Sequence, residues 1–99
     1  MNESDDRSYD YIYCVVTGRV QGVGFRVFVE RQARQLNLRG WVRNGVDGRT
    51  VEMAVEGEET SIELFLGSVR QGPPLANVVE MRVSHMAGRG DFTEFVVRS

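Results

Sequence analysis

The chain has 99 residues, 41% of them hydrophobic, and a formal net charge of −2, with a sequence pI of about 5.4. That length holds one domain around one core, and the acidic balance argues against a nucleic-acid backbone as the main partner. Any anion site must therefore be local. A single cysteine, Cys14, excludes an internal disulfide and a multi-thiolate metal site. The start, MNESDDRSYD, is polar and acidic without the apolar stretch of a secretory signal. No segment is long and apolar enough to span a bilayer, so a cytoplasmic, reducing location is expected and no membrane partner.

Residues 1–9 are expected to form a disordered polar tail ahead of one domain over 10–99. Tyr11-Ile12-Tyr13-Cys14-Val15-Val16-Thr17 is aromatic and β-branched, which predicts a strand ended by Gly18, with Ile12, Cys14 and Val16 on one face. Phe25, Phe28, Val29, Gln32, Ala33 and Leu36 then recur at helical spacing, and the helix closes near Asn37. A strand over Gly40-Trp41-Val42-Arg43-Asn44 follows, and the Val46-Asp47-Gly48 turn leads into a second strand. In that strand Val51, Met53 and Val55 alternate with Glu52, Ala54 and Glu56, and Gly57 ends it. Glu58 and Glu59 suit the positive end of a second helix, whose buried stripe is Ile62, Phe65, Leu66 and Val69 and whose stop is Gly72-Pro73-Pro74. Val79, Met81 and Val83 alternate as a fourth strand. Past a Gly88-Arg89-Gly90-Asp91 turn, a short last strand should point Phe95 and Val97 inward. The order is β-α-β-β-α-β with an extra terminal strand. Two helices, each with one apolar stripe, pack most economically on one face of an antiparallel sheet, an α+β architecture.

The chemistry concentrates in Gly18-Arg19-Val20-Gln21-Gly22-Val23-Gly24-Phe25-Arg26, where a strand passes into a helix. Glycines allow positive φ, so successive N–H groups can converge on one point, and the helix start adds its own unpaired N–H groups. Arg26 stands in the first helical turn, where a cation loses about 0.3–1 kcal/mol against the dipole. An anion shared by arginine and backbone would account for that placement. On pattern alone, such a turn is more often simply a turn, and such an arginine a solvated surface charge. Asn44 gains weight from topology: a right-handed β-α-β crossover makes the first two strands parallel, so their ends meet at one edge of the sheet. With the third strand between them, about 10 Å separates the two ends, room for a phosphate and a water. Asn44 is otherwise a residue entering a hairpin turn.

These two segments, Gly18 to Arg26 and Gly40-Trp41-Val42-Arg43-Asn44, closely resemble the two signatures of the acylphosphatase family, and the similarity runs from about Tyr11 to the C-terminus. The resemblance implies a ferredoxin-like two-layer sandwich with sheet order 4-1-3-2, and hydrolysis of the carboxyl-phosphate bond of small acyl phosphates. It implies that Arg26 binds the phosphoryl group and that Asn44 orients the attacking water. Backbone N–H groups of Arg19, Val20, Gln21, Gly22 and Val23 would complete the cradle. No metal and no cofactor is implied. The expected partners are the acyl phosphate and inorganic phosphate as product or inhibitor, met by a monomer, with no nucleic acid. One departure is visible: Arg49 and Thr50 separate Gly48 from Val51 where the family has one residue, which predicts a longer turn or a bulge.

Cys14 reads as a small core hydrophobe, Trp41 as sheet surface or packing, and His85 as a partly buried edge residue on the Val79 face. Arg19, Arg43 and Arg49 are candidates for raising the local positive potential. Three rival functions are weaker. RNA-recognition domains share this element order, but Val23 stands where their motif needs a stacking aromatic, and the run lies on a turn and helix rather than a central strand. Hydrogenase-maturation carbamoyltransferases open with a similar domain, but the zinc-binding cysteines and large catalytic region are missing here. The remaining alternative is a non-catalytic binding or regulatory domain of the same fold.

Overall fold

A computed structural model describes residues 9–99. The alternation over residues 12–16 buries Ile12, Cys14 and Val16 completely within a first strand, β1 (Tyr9–Arg19). The strand includes Tyr9, the last residue of the expected tail; the rest of that tail lies outside the described residues. The helix α1 (Phe25–Gln35) buries Phe25, Val29 and Ala33, with Phe28 and Leu36 packed at the margin of the core. Next come β2 (Arg39–Asn44), β3 (Thr50–Glu58) and the helix α2 (Glu59–Gln71). Ile62, Phe65 and Val69 of α2 are buried, and Leu66 is partly so. The chain ends with β4 (Asn77–His85) and β5 (Phe95–Val97). No helix among the described residues is long and apolar enough to cross a membrane.

The sheet order is β4-β1-β3-β2-β5, so the expected 4-1-3-2 arrangement holds and β5 is added beside β2. Three of the four pairings are antiparallel, but β5 runs parallel to β2, with Trp41 opposite Val96. The sheet is therefore mixed rather than wholly antiparallel. Both β1 and β2 run antiparallel to β3, which makes them parallel to each other and brings their C-terminal ends to one edge. The Gly-rich turn and Asn44 sit at that edge.

Other expectations need correction. Val79 is exposed because the β1–β4 ladder shifts register between Thr17 and Gly18, Thr17 facing Glu80 and Gly18 facing Val78. The skipped residue points outward, and Val78 packs against the core in its place. His85 is exposed rather than partly buried, with Nδ1 3.1 Å from Asp10 Oδ1. Val97 is 38% exposed while Phe95 is buried, since the three residues of β5 lie on an edge. Gly57 does not end its strand, which continues to Glu58. The extra hairpin residue goes into the turn: Asn44 pairs with Val51 in an unbroken ladder. Asp47 Oδ1 braces that turn, accepting from Arg49 N (2.9 Å), Thr50 N (3.1 Å) and Thr50 Oγ1 (2.9 Å).

Glu56 is a buried carboxylate that alternation alone would place on a solvated face; it is 1% exposed. Its oxygens accept from Gly90 N (2.8 Å) and Phe92 N (3.1 Å), and Arg39 Nε lies 3.9 Å away. Burial raises its pKa, but the Gly90 and Phe92 amides, the Tyr9 hydroxyl and Arg39 outweigh it, leaving the carboxyl below its ordinary value. The loop before β5 is thus tied to β3. With the folded pKa below the unfolded one, the stability Glu56 contributes is complete above the unfolded range, about 4.3, and is lost as pH falls through the lower folded value. In urea unfolding at neutral pH, Glu56→Gln should lose about 1–3 kcal/mol and show a shallower decline in acid than the parent. Identical acid-side slopes would contradict this role.

Candidate active site

Past Arg19 the chain leaves the sheet, and Gly22 and Gly24 take φ of 73° and 79°. A Cβ at either position would meet nothing within 4 Å, so the demand for glycine here is conformational, not spatial. Gly24 is the N-cap of α1 in the left-handed region, without a side-chain cap and with no acidic residue in the first turn. The first backbone bond of the helix runs from Phe28 N to Gly24 O, and no backbone N–H of residues 20–27 meets an acceptor among the described residues. Helix starts ordinarily satisfy such donors with a side chain, water or ligand. A run of free donors on a positive helix end makes an anion site.

A pocket of about 130 Å³ at this turn is lined by Val20, Gly22, Gly24, Phe25, Arg26, Val27 and Asn44. Of the residues singled out in the sequence, Val20, Gly22, Arg26 and Asn44 are brought together here. Arg19 ends β1 opposite Asn77, Val23 packs against the core, and Gln21 turns its side chain to the β2–β3 hairpin; none of the three lines the pocket. Gly24, Phe25 and Val27 line it without having been singled out as site residues.

The Arg26 guanidinium is oriented by the chain terminus, donating from Nη1 to the Arg98 carbonyl oxygen at 2.8 Å. Sequence reading missed this partner, because a backbone carbonyl carries no residue signature. Arg98 is in turn placed by Trp41: its guanidinium carbon lies 4.9 Å from the ring centroid, and that of Arg43 lies 5.0 Å away. Trp41 is thus packing on the open sheet face, as expected. Arg43 is committed to Glu52 at 3.2 Å, so it adds less free positive potential than expected. Burial pushes the Cys14 thiol up to about 12, against a lowering by Arg70, which leaves it an inert core residue. Among the described residues no group of three or more His, Cys, Asp or Glu is placed to hold a metal.

Fold and pocket together define a ferredoxin-like α+β protein with a small pocket at a strand-to-helix turn, lined also by an asparagine from the end of β2. The sequence model of the acylphosphatase family matches residues 12–97. An acylphosphatase from Methylococcus capsulatus is 49% identical over 86 residues, 87% of this chain and 92% of that protein. The crystal structure of acylphosphatase from Bacillus subtilis superposes with a TM-score of 0.87 at 36% identity, covering 93% of this chain and all of that one. Full-length HypF, in a phosphate- and nucleotide-bound form, contains a similar domain: TM-score 0.81, 29% identity, covering 93% of this chain and 12% of that one. The chain belongs to the acylphosphatase family, hydrolases that act on acid anhydrides.

The left-handed backbone at Gly22 gives a direct check. Gly22→Ala should lose about 1–2 kcal/mol in urea unfolding although nothing obstructs the added methyl, and, if the turn holds an anion, it should weaken any inhibition by inorganic phosphate. Parent-like stability and inhibition would mean that the turn does not need this conformation.

Proposed function

We propose that the chain hydrolyses small acyl phosphates at this pocket, with Arg26 and the turn's N–H groups holding the phosphoryl group and Asn44 orienting the attacking water. The observation that supports the reading is one small pocket lined by Arg26, Asn44 and residues of a turn whose backbone N–H groups meet no acceptor among the described residues. A water oxygen forms a bond to phosphorus as the bond from phosphorus to the acyl oxygen breaks, and the carboxylate leaves with the electron pair. The conjugate acid of that carboxylate has a pKa near ~4, so no general acid is required. The water's proton passes to a phosphoryl oxygen of the substrate. Phosphoryl transfer has a loose transition state, in which positioning and charge stabilisation supply most of the acceleration. A guanidinium bridging two phosphoryl oxygens, with N–H groups on the third, meets that need.

The same reading takes the enzyme as a monomer working in the cytoplasm, with inorganic phosphate as both product and inhibitor. The backbone cradle is extended to Arg19, Gln21 and Val23 by their membership of the matching motif, and to Val20 and Gly22 by their place in the pocket. On this reading the acyl portion extends from the pocket toward solvent past Val27, which lines the pocket and is 54% exposed.

Arg26→Ala should lower kcat on benzoyl phosphate by at least ~10²–10³-fold. Asn44→Ala should lower kcat while leaving inhibition by phosphate mostly intact, because it removes the water's partner and not the phosphate's. Parent-like turnover by Arg26→Ala would overturn the assignment. Comparable rates on benzoyl phosphate and on a phosphate monoester would point to a general phosphatase.

A further inference from the structure

Gln21 lies inside the Gly-rich turn, yet its carboxamide reaches across to the β2–β3 hairpin. Its Nε2 donates to Gly45 O and to Thr50 O, both at 2.9 Å, which uses both hydrogens of the amide. Gly45 directly follows Asn44, and Gly45 N donates to Thr50 O at 2.8 Å, closing the hairpin. A second link joins the same two segments, from Gly18 N to Arg49 O at 3.0 Å. Asp47 holds the turn from within through Arg49 and Thr50. The last rung of the β2–β3 ladder is Asn44 opposite Val51; beyond it the hairpin is held by its own Gly45 N–Thr50 O bond and by Asp47, none of which ties it to the Gly-rich turn. Gln21 supplies that tie, from the turn that frames the proposed phosphate pocket.

We infer that Gln21 is a positioning residue whose side chain sets Asn44 relative to the phosphate cradle. The inference rests on the proposed reading of the pocket and adds to it. A misplacement of about 1 Å can cost up to ~10²-fold in rate, and Gln21 spans the gap across which such an error would arise. The geometry also explains the residue type. Two carbonyl oxygens are met by a side chain with two N–H donors at this reach; glutamate would set oxygens against oxygens, and methionine would take the only donor from Gly45 O while Thr50 O keeps Gly45 N.

A double-mutant cycle on benzoyl phosphate tests the inference, using Gln21→Met, Asn44→Ala and the pair. Gln21→Met should lower kcat by ~10–10²-fold while the inhibition constant of inorganic phosphate stays within ~3-fold. In the Asn44→Ala background the same change should lower kcat less than ~2-fold, since the residue it positions is gone. Parent-like kcat for Gln21→Met, or an equal loss in both backgrounds, would overturn it. The parent protein gives a second reading that needs no variant: by NMR, the Gln21 side-chain amide should exchange with solvent at least ~10-fold more slowly than that of Gln35 on the exposed side of α1. Equal exchange would also overturn it, even if Gln21→Met failed to fold. A parent inactive on benzoyl phosphate would remove the hydrolase reading while leaving a slowed Gln21 amide, so the two failures are distinguishable.

Discussion

Backbone donors without acceptors are the constraint around which this molecule is arranged. Along residues 20–27 no backbone N–H finds an acceptor among the described residues, the helix that follows has no side-chain cap, and its first turn holds no acid. A guanidinium at a helix start is unfavourable by itself. Each feature disfavours the isolated protein slightly, and each would become favourable with an anion in the pocket, as the proposed function requires. The whole chain carries a net charge of −2, so an anion site here would have to be local rather than a property of a broadly basic surface.

The fold turns that local potential into a site. Inserting β3 between β1 and β2 makes the two strands parallel and sets their ends at one edge, the Gly-rich turn on one side and Asn44 on the other. The third fixture is the far end of the chain. Strand β5 lies parallel against β2, Arg98 N donates to Val42 O at 2.8 Å, and the Arg98 carbonyl receives Arg26. Trp41 on the opposite face holds the Arg98 side chain. The arginine of the pocket is therefore aimed by a residue 72 positions away, through hydrogen bonds that exist only once the sheet is complete.

Much of this was legible in the sequence because the signals were periodic. The alternation of Ile12, Cys14 and Val16 and the helical stripe of Phe25, Val29 and Ala33 each report a single face, and the structure buries all six. Arg26 and Asn44 stood out for a similar reason: one residue sits awkwardly in its helix and the other ends a strand that topology brings nearby. What stayed illegible depends on backbone atoms or on pairing across the sheet. The bulge that turns Val79 outward is set by the β1–β4 register. Glu56 reads as a solvated strand residue until the Gly90 and Phe92 amides fold over it. The parallel run of β5 follows from how the loop before it is tied down, and three residues carry too little pattern to reveal direction. Gln21 was read for its amide nitrogen, whereas the structure gives its side chain a separate destination.

The most direct test of the central claim follows the backbone amides themselves while inorganic phosphate is titrated into the protein. In ¹H–¹⁵N spectra, the amide signals of residues 20–27 and the Arg26 side-chain signal should shift together and saturate with one dissociation constant, while those of β4 and α2 stay still. Signals in that turn that do not move at saturating phosphate, or the same small drift spread over the whole protein, would contradict an anion cradle at this edge of the sheet.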